Sequence, residues 1–146
     1  MSDSSSNQPS SGAPLERAAE LIETATQARL RAQAQFSQFK VGAALLSSQG
    51  QVFSGCNVEN ASYGLTMCAE RVAIFKAISE GVTEFEAICV VADTQTLTPP
   101  CGSCRQLIWE KCGDIPVLLA NLRGDSRQFT SGQLLPFPFD RSSLTS

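Results

Sequence analysis

The chain has 146 residues, 42% of them apolar, and its 11 basic and 14 acidic side chains leave a formal net charge of −3. That is enough chain for one domain with a real core, and a weak negative balance without a lysine or arginine run excludes the electrostatic footprint of a polynucleotide binder. No apolar stretch approaches the roughly 20 residues that cross a bilayer, so neither a nucleic acid nor a membrane is expected as a partner.

Residues 1–13 are mostly Ser, Gln, Asn and Gly, too poor in apolar groups to offset the entropy of ordering, and are read as a disordered tail ahead of one domain over 14–146. Pro14 marks a helix start, with Ala18, Leu21, Ile22, Ala25, Ala28 and Ala32 recurring at three- and four-residue steps, which predicts a helix with a narrow, alanine-rich buried stripe. Two β runs follow, 41–47 and 51–59, joined by the turn Ser48-Gln49-Gly50, and together predict a hairpin. A helix is expected over 67–80, apolar around most of its circumference and ended by Gly81. The Ile-Cys-Val-Val centre of 86–92 predicts a strand buried on both faces. Pro99 and Pro100 forbid helix before Cys101, after which 105–112 reads as a short helix stopped by Gly113. Strands over 117–122 and 127–130 complete the pattern, and Phe137 and Phe139 lie between prolines on an irregular stretch that needs something to pack on. The expected architecture is α/β in three layers, a mixed sheet of about five strands with helices on both faces.

Six cysteines would suggest disulfides in a secreted chain, but the start of the sequence lacks the basic and apolar segments of a signal peptide, so a reducing cytoplasm is the expected compartment. The cysteines then call for another use. Cys68-Ala69-Glu70 and Pro100-Cys101-Gly102-Ser103-Cys104 offer three thiol ligands and one acid, in a chain with no histidine. A closed structural zinc site takes four protein ligands, whereas three leave a position for water. Each cysteine group lies where a loop enters a helix, and the positive end of a helix dipole favours thiolate. Glu70 cannot share a helix face with Cys68, since side chains two residues apart diverge, so it is expected beside the metal as a general acid and base rather than as a ligand. Three thiolates and a hydroxide outweigh the charge of zinc, and Arg71 and Arg105 are the candidates to compensate from just outside the ligand set.

These strings, Cys68-Ala69-Glu70-Arg71 and Pro100-Cys101-Gly102-Ser103-Cys104-Arg105-Gln106, together with Cys56-Asn57-Val58-Glu59-Asn60-Ala61, resemble the small zinc-dependent cytidine deaminases over residues 35–139. The resemblance implies one Zn2+ per subunit on Cys68, Cys101 and Cys104, attack of its hydroxide on C4 of cytidine or deoxycytidine, and Glu70 moving the protons. It further implies that Asn57 and Glu59 hold ribose hydroxyls, that Phe39 lines the base pocket and that backbone around Ala69 reads the pyrimidine edge. Phe139 would cover the base in a neighbouring subunit of a homotetramer, with Tyr63 also at that interface. The chain departs from the family's habits in Gln35-Phe36-Ser37, where Pro-Tyr-Ser is common, in Pro99, where Ser or Thr is frequent, and in Pro138.

Taken singly, buried cysteines behave as small hydrophobes, and that is the reading for Cys56, Cys89 and Cys112. For Cys68, Cys101 and Cys104 the spacing outweighs it. Phe39 or Phe139 alone would be a core or anchoring residue, and Asn57 and Glu59 alone would mark only a wet strand face. Two rival functions remain at this level, a deaminase of another aminopyrimidine compound such as a nucleoside antibiotic and a non-catalytic zinc-binding module.

Overall fold

The computed structural model describes residues 15–145; the expected tail and the helix start at Pro14 lie outside them. Among the described residues five α-helices and five strands run in the order α1 (Ala18–Arg29), β1 (Val41–Ser47), β2 (Val52–Cys56), α2 (Ala69–Ser79), β3 (Phe85–Ala92), α3 (Gly102–Cys112), β4 (Pro116–Ala120), β5 (Ser126–Thr130), α4 (Ser131–Leu134) and α5 (Arg141–Thr145). The strands form one sheet in the order β2-β1-β3-β4-β5. Only β3 and β4 are parallel, joined through α3; every other neighbouring pair is antiparallel. The sheet is mixed, as the pattern of runs predicted.

Strand alternation divides the core into two layers. Ala43, Leu45, Ile88, Val90, Val117 and Leu119 face α2 and α3, while Ala44, Leu46, Cys89, Val91 and Leu118 face Leu21 and Ala25 of α1. Cys89 is thereby confirmed as a core residue, and burial pushes its thiol up to about 12. Two glycines set how closely the helices lie on the sheet. A Cβ on Gly42 would stand 1.9 Å from the carbonyl oxygen of Ala25, and one on Gly55 would stand 2.4 Å from that of Ala69 and 2.7 Å from the amide of Ala73. The bare backbones at these positions let α1 rest on β1 and the first turn of α2 rest on β2.

Element boundaries differ from the sequence reading where side chains act on the backbone. The second hairpin strand stops at Cys56 rather than 59, because Asn57 turns its amide back onto the chain ahead of β1 and Val58 instead bridges Gln33 and Met67. Helix α3 begins three residues before 105, since Cys101 adopts an extended N-cap conformation with φ −67° and ψ 169° and lets the helix start at Gly102. The two short C-terminal helices had no periodic signal. The first is nucleated by a capping box, Thr130 accepting from the Gln133 amide while the Gln133 side chain accepts from the Thr130 amide.

Candidate functional site

The N-terminal ends of α2 and α3 converge on one place. Cys68 is the N-cap of α2 and Cys101 the N-cap of α3, both extended and neither using its side chain to cap the helix. Their sulfurs are therefore free for another partner. Cys104, in the first turn of α3, is fully buried. The three Sγ atoms lie within 4.8 Å of one another, and those of Cys68 and Cys101 are 4.0 Å apart. Tetrahedral zinc with Zn–S bonds of about 2.3 Å separates its sulfurs by roughly 3.8 Å, so the donor set fits that ion. Among the described residues no other Cys, His, Asp or Glu joins this cluster, so a four-coordinate ion held here would keep one position for a non-protein ligand.

The thiols are not equivalent. Cys68 is drawn down to about 5, chiefly by the hydrogen bond from Cys104 and then by the Arg71 guanidinium. Cys104 moves strongly upward for the reciprocal reason, because it supplies that hydrogen bond, with burial and the charge of Glu70 adding to the rise. The expectation that helix ends would lower all the thiols thus fails for Cys104: the protein's own groups favour a thiolate at Cys68 and oppose one at Cys104. A dication bound to the three sulfurs would favour the thiolate at Cys104 as well.

Arg71 donates from Nη2 to Cys68 Sγ at 3.7 Å and to the Thr66 carbonyl at 3.2 Å, and its Nε is buried without a hydrogen-bond partner in the described structure. It stands against the sulfur it was expected to compensate. Arg105 reaches the backbone around the cluster, donating to the carbonyls of Pro100 at 2.8 Å and Leu134 at 3.1 Å. It fixes the residue just before Cys101.

A cavity of about 300 Å³ opens beside the sulfurs, lined by Phe39, Asn57, Glu59, Ala69 and Glu70 as well as Cys68 and Cys101. Glu70 is 4% exposed, and desolvation pushes its carboxyl up to about 7, with the negative charge on Cys68 contributing. A carboxyl near neutrality can both take and give a proton at pH 7. The Asn57 amide is already engaged, accepting from Val41 N and donating to the Phe39 carbonyl, each at 2.8 Å, so it shapes the Phe39 wall. Glu59 accepts from the amides of Phe36 and Ser37 at 3.0 and 2.9 Å and from the Ser37 hydroxyl; these bonds, the hydroxyl's foremost, hold it ionised below its ordinary range.

Of the expected substrate contacts, Tyr63 and Phe139 do not line this cavity. Tyr63 is 90% exposed on a 3-10 turn, Tyr63–Leu65, and borders a neighbouring depression that shares Ser37, Glu59 and Thr66 with the main one. Phe139 is 60% exposed, its carbonyl held by Gln106 Nε2 at 2.6 Å. Sequence reasoning did not single out Ser37, Thr66, Met67, Thr98 or Pro99 as cavity residues. The available signal was adjacency: four of them lie within four residues of a ligand cysteine, and Ser37 lies two before Phe39.

Comparisons with known proteins agree with this geometry. The family described as the cytidine and deoxycytidylate deaminase zinc-binding region matches residues 15–118. The chain is 55% identical over 125 residues to a cytidine deaminase of Halalkalibacterium halodurans, covering 85% of this chain and 95% of that protein. To a cytidine deaminase of Sporosarcina psychrophila it is 49% identical over 126 residues, covering 86% and 93%. The crystal structure of cytidine deaminase from Burkholderia pseudomallei superposes with a TM-score of 0.82 at 50% identity, over 84% of this chain and 98% of that one.

Proposed function

The chain belongs to the cytidine and deoxycytidylate deaminase family, and we propose that it hydrolyses the 4-amino group of cytidine and deoxycytidine, with water consumed and ammonia and the uracil nucleoside released. The observation that carries this reading is a three-sulfur cluster sharing one small cavity with a buried, near-neutral glutamate. Zinc held by Cys68, Cys101 and Cys104 supplies a nucleophile at neutral pH by lowering the pKa of a coordinated water.

The chain's own residues carry out the rest. Glu70 takes a proton from the attacking water and delivers it to N3 of the pyrimidine, then takes a second from the hydroxyl added at C4 and delivers it to the amine as the C4–N4 bond breaks and the C4 carbonyl forms, so that two protons move and the carboxylate is regenerated. Burial of Glu70 makes both halves of that cycle accessible, because its carboxyl sits close to neutral. The first intrahelical bond of α2 runs from Val72 N to Cys68 O, which leaves the Ala69 amide free of a helical acceptor to meet the pyrimidine carbonyl. Phe39 flanks the base, and Asn57 holds Phe39 in place while facing the sugar. At Glu59 a ribose hydroxyl takes the place of the Ser37 hydroxyl, exchanging one hydrogen bond for another. Arg71 offsets the negative charge of the sulfurs.

In this reading residues 14–146 act as one catalytic domain and the protein works as a homotetramer, with Phe139 closing over the base in a neighbouring subunit and Tyr63 at the same interface. High exposure of Phe137, Phe139 and Tyr63 supports it, because apolar surface of this kind invites a covering partner. A site built on free thiols also suits a reducing compartment such as the cytoplasm, and no helix among the described residues is long and apolar enough to cross a membrane. The test follows the absorbance of cytidine with zinc-loaded protein beside Glu70→Gln. Turnover by the native chain, cut by about a hundredfold or more in the variant with zinc retained, supports the reading; an inactive native chain, or a fully active variant, defeats it.

A further inference from the structure

Residues 93–100 leave the C-terminal end of β3 and bring Thr98 and Pro99, and then Cys101, to the cavity. Ligands of open α/β sheets gather at that end of the strands, yet this stretch contains neither helix nor strand. Its shape must be fixed from outside. Arg105 does this at Pro100, and Asn121, the residue after β4, does it at the start of the stretch. Asn121 is 4% exposed, and its side chain is hydrogen-bonded at both ends. Nδ2 donates to the carbonyls of Thr94 at 2.9 Å and Gln95 at 3.3 Å and to Asp125 Oδ2 at 3.0 Å, while Oδ1 accepts from the amides of Arg123 at 2.9 Å and Asp125 at 3.0 Å. One side chain therefore staples the turn between β4 and β5 to the loop after β3. From Thr94 the connection continues through a 3.1 Å hydroxyl–hydroxyl bond to Thr98, which lines the cavity.

We propose that Asn121 is a positioning residue for nucleoside binding, holding the Thr98–Pro99 wall of the cavity through Thr94. The inference rests on the deaminase reading. Only a carboxamide meets the chemistry of the position, since carbonyls demand donors on one side and amides demand an acceptor on the other. Asn121→Asp keeps the acceptor that shapes the turn, loses the donors to Thr94 and Gln95, and sets a carboxylate against those carbonyls and Asp125. Thr94→Val cuts only the last link and leaves the buried amide untouched.

The experiment compares zinc-loaded native protein, Asn121→Asp and Thr94→Val in steady-state deamination of cytidine, with a thermal melt of each. Loss of one hydrogen bond in Thr94→Val is expected to raise KM roughly fivefold with kcat within about twofold of native. Release of the whole loop in Asn121→Asp is expected to raise KM by more, on the order of tenfold to a hundredfold, and the double variant should match Asn121→Asp because the path is already cut. A lowered melting temperature with native KM in both variants would make the role merely structural and overturn the inference. Should Asn121→Asp fail to fold, Thr94→Val decides by the same criterion. A native chain without turnover would sink the deaminase reading and this inference together, whereas an active native chain with native KM in Thr94→Val would overturn this inference alone.

Discussion

Gly55→Ala tests how the sheet positions the chemistry. The added Cβ would stand 2.4 Å from the Ala69 carbonyl oxygen, 2.7 Å from the Ala73 amide nitrogen and 3.2 Å from the Ala73 Cα. All three are backbone atoms of α2, so no side chain can swing away. Restoring ordinary contact at roughly 3.5–4 Å requires the first turn of α2 to lift from β2 by on the order of 1 Å. Overpacking of this kind costs about 1–3 kcal/mol, which a small domain can survive. The functional loss should be larger in proportion, because the displaced turn carries Cys68, Ala69 and Glu70, and a 1 Å misplacement of reacting groups costs about a hundredfold in rate. The assay pairs a thermal melt with kcat and with zinc affinity measured by competition against a chromogenic chelator. A folded variant with kcat down about a hundredfold and weakened zinc binding is expected. Native kcat and native zinc affinity in Gly55→Ala would refute the claim that this close approach sets the site.

Further outcomes follow from the same geometry. Glu70→Gln should retain zinc and lose about 10²–10⁴-fold in kcat, checked by metal analysis and the absorbance assay on the same sample. Arg71→Gln removes the guanidinium that helps draw Cys68 down to about 5, so zinc affinity at pH 6–7 should fall while the effect narrows at higher pH, as metal-competition titrations would show. In metal-free protein Cys68 and Glu70 bend stability in opposite directions below pH 8. Cys68, lowered from 9.0 to about 5, contributes stability that is complete above pH 9 and is lost as pH falls toward 5; Glu70, raised from 4.5 to about 7, weakens the fold as pH rises from 4.5 to 7. Melting temperature should therefore change little between pH 5 and 7, rise between 7 and about 8, and fall again beyond about 9, where the raised thiols of Cys89, Cys104 and Cys112 resist the ionisation open to them in the unfolded chain; Cys68→Ser should remove the rise. Phe139→Ala should raise KM for cytidine without reducing zinc content, and sedimentation of the native chain should return a tetramer.

Legibility from the sequence followed the locality of the physics. The ligands could be read directly, because zinc chemistry demands thiols at short spacing and the acid two residues after Cys68 cannot serve as a fourth ligand on the same helix face. The sheet was legible through its buried runs, since β1 and β3 are apolar on both faces. What escaped depends on contacts between distant segments. Nothing in Asn57-Val58-Glu59 announces that β2 ends before it; that follows from an amide reaching back to Phe39 and Val41. Gly55 looks like any strand glycine until α2 lies on it, and Asn121 looks like a turn residue until the loop after β3 is brought to its Nδ2. The unequal thiols also needed three dimensions, because the rise at Cys104 comes from Cys68, 36 positions earlier in the chain.

One titration bears on the whole account. Protein stripped of metal is given zinc in increments while cytidine deamination and proton release are recorded together. Activity should rise linearly from zero to a plateau at about one zinc per chain, with protons released at each addition because Cys104 must lose its own to bind. Deamination by the stripped protein at the native rate, or a plateau with no dependence on zinc, would contradict it.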